Sequence, residues 1–155
     1  MELLLTICIL AIISAVAVPQ FFHSANKTVD TARMSQFKSK YFSIKSAIRQ
    51  QIQFETDKTH IQLPDKLESA TDNDITDANS RISMLIKNGY LHPDSARTED
   101  ASGGWINFKI ITSISANLPP ILAITEKYHV SISGVNIDSE IESGATWDSI
   151  WNNIR

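Results

Sequence analysis

Glu2 is the first group in this chain able to do chemistry, and it sits where an acid is expensive. It directly precedes Leu3-Leu4-Leu5 and an apolar run that continues to Phe22, broken by Pro19. A carboxylate beside hydrocarbon costs about 2.5–3.5 kcal/mol at mid-membrane on insertion scales, and less near the interface. A group kept at that cost implies a positive partner, so Glu2 is expected to recognise a cation. A second set is basic: Lys38, Lys45 and Arg49 line one edge of a helical pattern. That edge offers a contact to an acidic neighbour or to DNA. No aromatic interleaving or nucleic-acid motif accompanies it, so nucleic acid is not the expected partner.

A third set is acidic. Asp138, Glu140, Glu142 and Asp148, and separately Asp72, Asp74 and Asp77, have the oxygen chemistry for calcium. Neither set has the EF-hand spacing with its glycine, so the expectation is solvated loop acids and no cofactor. His23, His60, His92 and His129 are scattered and read as surface or packing residues. Cys8 is the sole cysteine and lies inside the apolar run, which rules out an intramolecular disulfide. No nucleophile–base pattern, glycine-rich phosphate loop or metal-ligand spacing points to an enzyme.

The elements that must carry these groups follow from the apolar pattern. Residues 3–22, at ~1.5 Å each, would make a helix about one hydrocarbon thickness long. A cleavable signal is the competing reading, since Ala15-Val16-Ala17 supplies a small-x-small site. Against it, Glu2 stands where a signal carries Lys or Arg, and the run leads into a further helical pattern. Lys27, Arg33, Lys38 and Lys40 follow the run, and the positive-inside rule taken alone would put the C-terminal part in the cytoplasm.

Beyond the run, Met34, Phe37, Tyr41, Ile44, Ile48 and Ile52 recur at steps of three and four, one tight helical stripe. Ser35, Ser39, Ser43 and Ser46 fall on the other side. Residues 23–53 carry a net charge of +5, and residues 54–155 a net of −7. A basic stalk bearing an acidic head suits head-to-stalk contact between copies. Three regions result: 1–22, a membrane and assembly segment; 23–53, an amphipathic segment; and 54–155, a head.

Within the head, 55–74 reads as a connecting loop and 77–88 as a helix with Ile75, Ala78, Ile82, Leu85 and Ile86 on one face and Gly89 as its stop. Gly103-Gly104 marks a turn before a strand from Trp105 to Ser113, with Ile106, Phe108 and Ile110 on one side. Asn117 to Lys127 fits either a helix begun near Pro119-Pro120 or a strand. Tyr128 to Ser133 reads as a strand with Val130 and Ile132 inward, ended by Gly134. Thr146 would cap a last helix whose Trp147, Ile150, Trp151 and Ile154 anchor the core. The class is α+β: a long N-terminal helix, part membrane and part amphipathic, packed on a small antiparallel sheet with short helices.

Glu2, the apolar run and Ile12-Ile13-Ser14-Ala15-Val16-Ala17-Val18-Pro19-Gln20-Phe21 together resemble the mature N-terminus of type IV pilins and type II secretion pseudopilins. The interval from acid to proline and the Pro-Gln-Phe triplet carry the likeness, over residues 1–22. The segment from Leu85 to Leu91 resembles the helix exit of pseudopilins, and the C-terminal half resembles that of type IVb pilins, without their disulfide. The resemblance implies a pilin fold and a structural, non-enzymatic subunit. It would be single-pass in the bacterial inner membrane with its head in the periplasm. It would form a homo-oligomer, or a co-polymer with other pilins, built by the assembly machinery. Glu2 would set register against a neighbour's amino terminus, with the apolar run from Leu3 to Val18, Leu4 and Leu5 included, supplying cohesion. Ala11, where many members have glycine, would resist local melting, and Pro19 would permit a kink. The family also implies a basic leader ending in glycine, removed and methylated by a prepilin peptidase. Met1 falls a few residues inside the expected mature start, so either the start codon lies upstream or the product differs from the family in processing. Such a leader would reverse the topology suggested by the positive residues. A pseudopilin, or a minor pilin with an adhesin or DNA-binding head, is the alternative.

Overall fold

The apolar run and the stripe that follows it form one helix. In a computed structural model describing residues 2–59, 67, 69–100, 102–112 and 127–154, α1 runs Glu2–Thr59 without interruption, Pro19 included. The division at residue 22 falls inside this helix, between its two expected halves, and the helix runs past the end expected at 53, so 55–59 belong to it rather than to a loop. The other loop residues through 66, and residues 113–126 with the ambiguous Pro119-Pro120 segment, lie outside the described residues.

The stripe packs as its spacing predicts. Phe37, Tyr41, Ile44 and Ile48 are buried, Met34 and Ile52 pack at the margin, and Ala47 and Gln51 widen the buried face. Ser35, Ser39, Ser43 and Ser46 are exposed on the other side. Against this face lie α2 (Arg81–Lys87), a two-stranded antiparallel sheet of β1 (Arg97–Glu99) and β2 (Trp105–Asn107), and a three-stranded antiparallel sheet. The latter has the order β3 (Lys109–Thr112), β4 (Tyr128–Ile132), β5 (Val135–Asn136). Two short helices, α3 (Ile137–Glu142) and α4 (Trp147–Ile154), close the chain. The fold is α+β.

The strand expected from Trp105 keeps its alternation but changes partners midway. Thr98 faces Ile106 in the first sheet, Ile110 faces Val130 in the second, and the Phe108 amide donates to Ala96 O at 2.9 Å. Phe108 and Ile110 are buried and Ile106 half-buried. The hairpin β1–β2 turns on Asp100, whose carboxylate accepts from the Ser102 and Gly104 amides, each at 2.8 Å. A Cβ at Gly104 would meet that carboxylate at 2.8 Å, so a larger residue there would push Asp100 out of its place in the turn. Ser133 and Gly134, at φ 49° and 86°, make the two-residue turn between β4 and β5.

Helix α2 starts four residues later than expected. Asp74 and Asp77 fold 71–79 into side-chain-capped turns instead: Asp77 accepts from Thr71, Asn73 and the Asn79 amide, and Asp74 from Thr76. Ala78 is exposed, not on the packed face. Ser80 is the N-cap, accepting from the Ser83 amide at 3.2 Å, and Gly89 closes the helix at φ 79°. Arg81 then ties the loop to the sheet, donating to Leu67 O at 2.6 Å and Ile110 O at 3.2 Å and pairing with Asp72.

Candidate assembly surface

A helix that is apolar all round needs partners on every side. Residues 3–15 of α1 are such a helix: Leu3, Leu4, Leu5, Ile7, Leu10, Ile12 and Ile13 are each more than half exposed, and Ala11 is exposed among them. Burying a Leu or Ile side chain is worth about 1.5–3 kcal/mol, so this rod carries a large unspent association energy. Thr6 does not interrupt it, since its hydroxyl donates to Leu3 O at 2.9 Å. Glu2 begins the helix, and its side chain lies outside the described residues. Pro19 is exposed within the helix, where it denies one carbonyl its usual donor without ending the element. Among the described residues no helix is long and apolar enough to cross a membrane. The side chains of Val16, Ala17, Val18, Gln20, Phe21 and Phe22, which the expected span also needs, lie outside the described residues.

The basic edge divides. Arg49 is exposed and Lys38 half-buried. Lys45, expected as a contact for another molecule, is instead held by this chain's own head: its ammonium donates to Asp138 Oδ2 at 2.9 Å and to Tyr128 O at 3.1 Å. His129 Nδ1 meets the same carboxylate oxygen at 2.8 Å. Asp138 also differs from the expectation. It is 5 % exposed, not a solvated loop acid, because the side chain of Asn136 caps α3 and turns it inward. The node joins α1, β4 and α3. It also acts on Tyr41, whose pKa is raised first by burial, then by the charge of Asp138 and weak hydrogen bonding to it. A buried pair of this kind adds little net stability but penalises any other docking of α1 on the sheet.

Among the described residues no group of three His, Cys, Asp or Glu side chains could hold a metal ion. The remaining acids of the two expected sets do other work or face solvent: Asp72 pairs with Arg81, Glu140 accepts from Asn153 at 3.1 Å, and Glu142 and Asp148 are exposed. Sequence reasoning missed α3 and the node built on it. Asn136 two residues ahead of Asp138 was the available signal, an N-cap pattern hidden by the run of acids that follows. Trp147 and Trp151 do anchor the core, Trp147 lying edge-on to Phe37 at 5.7 Å.

No family model, curated protein or solved structure matches the chain.

Proposed function

We propose that this protein is a structural subunit of a type IV pilus-like filament, a pilin-like chain assembled through residues 1–22. In this reading it is a single-pass protein of the bacterial inner membrane with its head in the periplasm, and it has no turnover of its own. One observation carries the proposal: a single 58-residue helix is exposed and apolar at one end and committed to an α+β head at the other. Such a helix leaves the side chains of residues 3–15 exposed while residues 34–52 pack against the head. Copies aligned side by side would bury the apolar halves and space the heads at regular intervals. Glu2 would set register, because an unpaired carboxylate in a dry bundle penalises every misaligned docking.

Glu2→Ala tests this. The variant should insert normally but enter filaments poorly, and normal incorporation would reject the role. A second reading, a type II secretion pseudopilin, is favoured by a head held without any cysteine, Cys8 being the sole one and lying in the rod. Surface filaments containing the protein support the pilus; loss of secreted enzymes on deletion, without such filaments, supports the secretion system.

A further inference from the structure

Outside α1, Trp105 is the most exposed large apolar side chain among the described residues, at 58 %. Its indole is nevertheless fixed. The Arg97 guanidinium lies 4.8 Å from the ring centroid and the Lys40 ammonium 5.3 Å, the one from β1 and the other from α1. Lys40 also donates to Arg97 O at 2.8 Å, which locks the hairpin to the stalk. Between the ring and α1 lies a recess of about 50 Å³ lined by Arg33, Gln36, Lys40, Thr98, Glu99 and Trp147 besides Trp105. Three cations, an exposed aromatic edge and a small polar hollow meet at one corner. Trp and Arg together are the side chains most often found to anchor protein interfaces.

Size and charge select the occupant. The recess admits a few water-sized groups, which suits the tip of a carboxylate side chain. Asp94 and Glu99 offset part of the local positive charge: Asp94 bonds Arg97 at 3.0 Å, and both raise the Lys40 pKa. Burial, together with the charge of Arg97, nonetheless outweighs them and lowers it. A nucleic acid would also face the repulsion of residues 54–155, net −7. Another copy of this chain presents that same negative head to the basic stalk of its neighbour.

We propose that Arg33, Lys40, Arg97 and Trp105 form a socket for an acidic side chain on the head of a neighbouring copy. The inference rests on the filament-subunit reading and adds to it a lateral contact between stalk–head corner and head, separate from the apolar rod. The full-length chain, prepared as a mixture of light and heavy-isotope copies, carries a photo-crosslinker as Gln36→p-benzoylphenylalanine, which leaves Trp105 intact. Irradiation of assembled material should join position 36 of one copy to acidic peptides within residues 54–155 of another. Trp105→Ala and Arg33→Gln should each lower that yield by about fivefold or more, the effect of losing an interface contact worth ~1 kcal/mol. Arg33 is not bonded to the β1–β2 hairpin, so Arg33→Gln reads the socket even where Trp105→Ala loosens the fold. Adducts confined to one copy, adducts to residues 2–53 of another copy or to nucleic acid, or yields unchanged by both substitutions would overturn the socket. Filaments that form normally and lose incorporation with Glu2→Ala, yet give no such adduct, would reject the socket and leave the filament reading standing.

Discussion

Residues 3–15 and residues 34–52 lie on one continuous helix, yet Leu4 is 67 % exposed and Ile44 fully buried. Backbone geometry does not distinguish them; the arrangement of side chains does. The first segment is apolar on every face, so no single surface of a small head could cover it. The second confines its apolar residues to one stripe and gives serines and charges to the rest, which is what a helix packed on a sheet requires. The difference separates two jobs. The stripe is buried against the head, whereas the side chains of residues 3–15 stay exposed.

The largest expected effect tests that separation. Phe37 is fully buried, with its ring 5.6 Å from Phe108 and 5.7 Å from Trp147. Phe37→Ala should cost about 3–5 kcal/mol, the transfer term plus the cavity left between α1, the β2–β3 junction and α4. Leu4→Ala should move the same denaturation midpoint by less than about 0.5 kcal/mol. Near-ultraviolet circular dichroism followed through urea reads the head through its tryptophans. Equal losses in the two variants would mean that the rod packs on the head after all.

Much of this arrangement is visible in the residue order, and the reason is periodicity. The stripe from Met34 to Ile52, the Val130–Ile132 alternation and the Trp147–Trp151 spacing each repeat often enough to declare an element and its buried face. What stayed hidden is short or held by polar side chains. β1 is Arg-Thr-Glu, three residues with no apolar alternation, and it exists because Ala96 and Phe108 pair beside it. The delayed start of α2 came from Asp74 and Asp77 capturing backbone amides that a helix would otherwise use. Asp138 looked like one acid among several, and only the fold brings Lys45, from 93 positions earlier, to its oxygen. The socket at Trp105 depends equally on tertiary approach, since Arg97 and Lys40 come from different elements.

The node at Asp138 sharpens the comparison next, because it shows what keeps the buried half in one position. Asp138→Ala leaves Lys45 and His129 beside each other without the oxygen they share, at a cost of about 2–4 kcal/mol, reduced from the fully buried case because the Lys45 side chain is 19 % exposed. Lys45→Met should cost at least as much, since it leaves the more deeply buried carboxylate with His129 but without its ammonium. The ordering of the two midpoints is the measurement; Asp138→Ala as clearly the more damaging change would show that the acid organises the node through more than its pairing with Lys45.

A smaller effect separates long from short helices. α1 has many turns over which to spread its end effects, whereas α2 has seven residues and a buried N-cap. Ser80→Ala removes the oxygen that accepts from the Ser83 amide, at about 1 kcal/mol. Hydrogen exchange should quicken at the first turn of α2 and not in residues 34–52. Uniform quickening would make α2 and α1 one cooperative unit.

The smallest effect comes from acid, and it again divides rod from head. Asp74, Asp77 and Asp100 all have pKa values below the usual 3.8. The chief cause is a side-chain hydrogen bond from Thr76 to Asp74, from Asn73 to Asp77 and from Ser102 to Asp100. Folded carboxyls with depressed pKa values bind fewer protons than unfolded ones, so their contribution is complete above 3.8 and is lost as the pH falls through the lower folded values. The thermal midpoint of the head should therefore decline on acidification below that point. Asp100→Asn should flatten the decline, because the amide keeps an acceptor for the Gly104 amide but no longer titrates. Residues 3–15 have no ionisable side chain except the Cys8 thiol, so the rod's helical signal should hold through the same range. A rod that melts together with the acidified head would show that the two halves of α1 are not energetically separate.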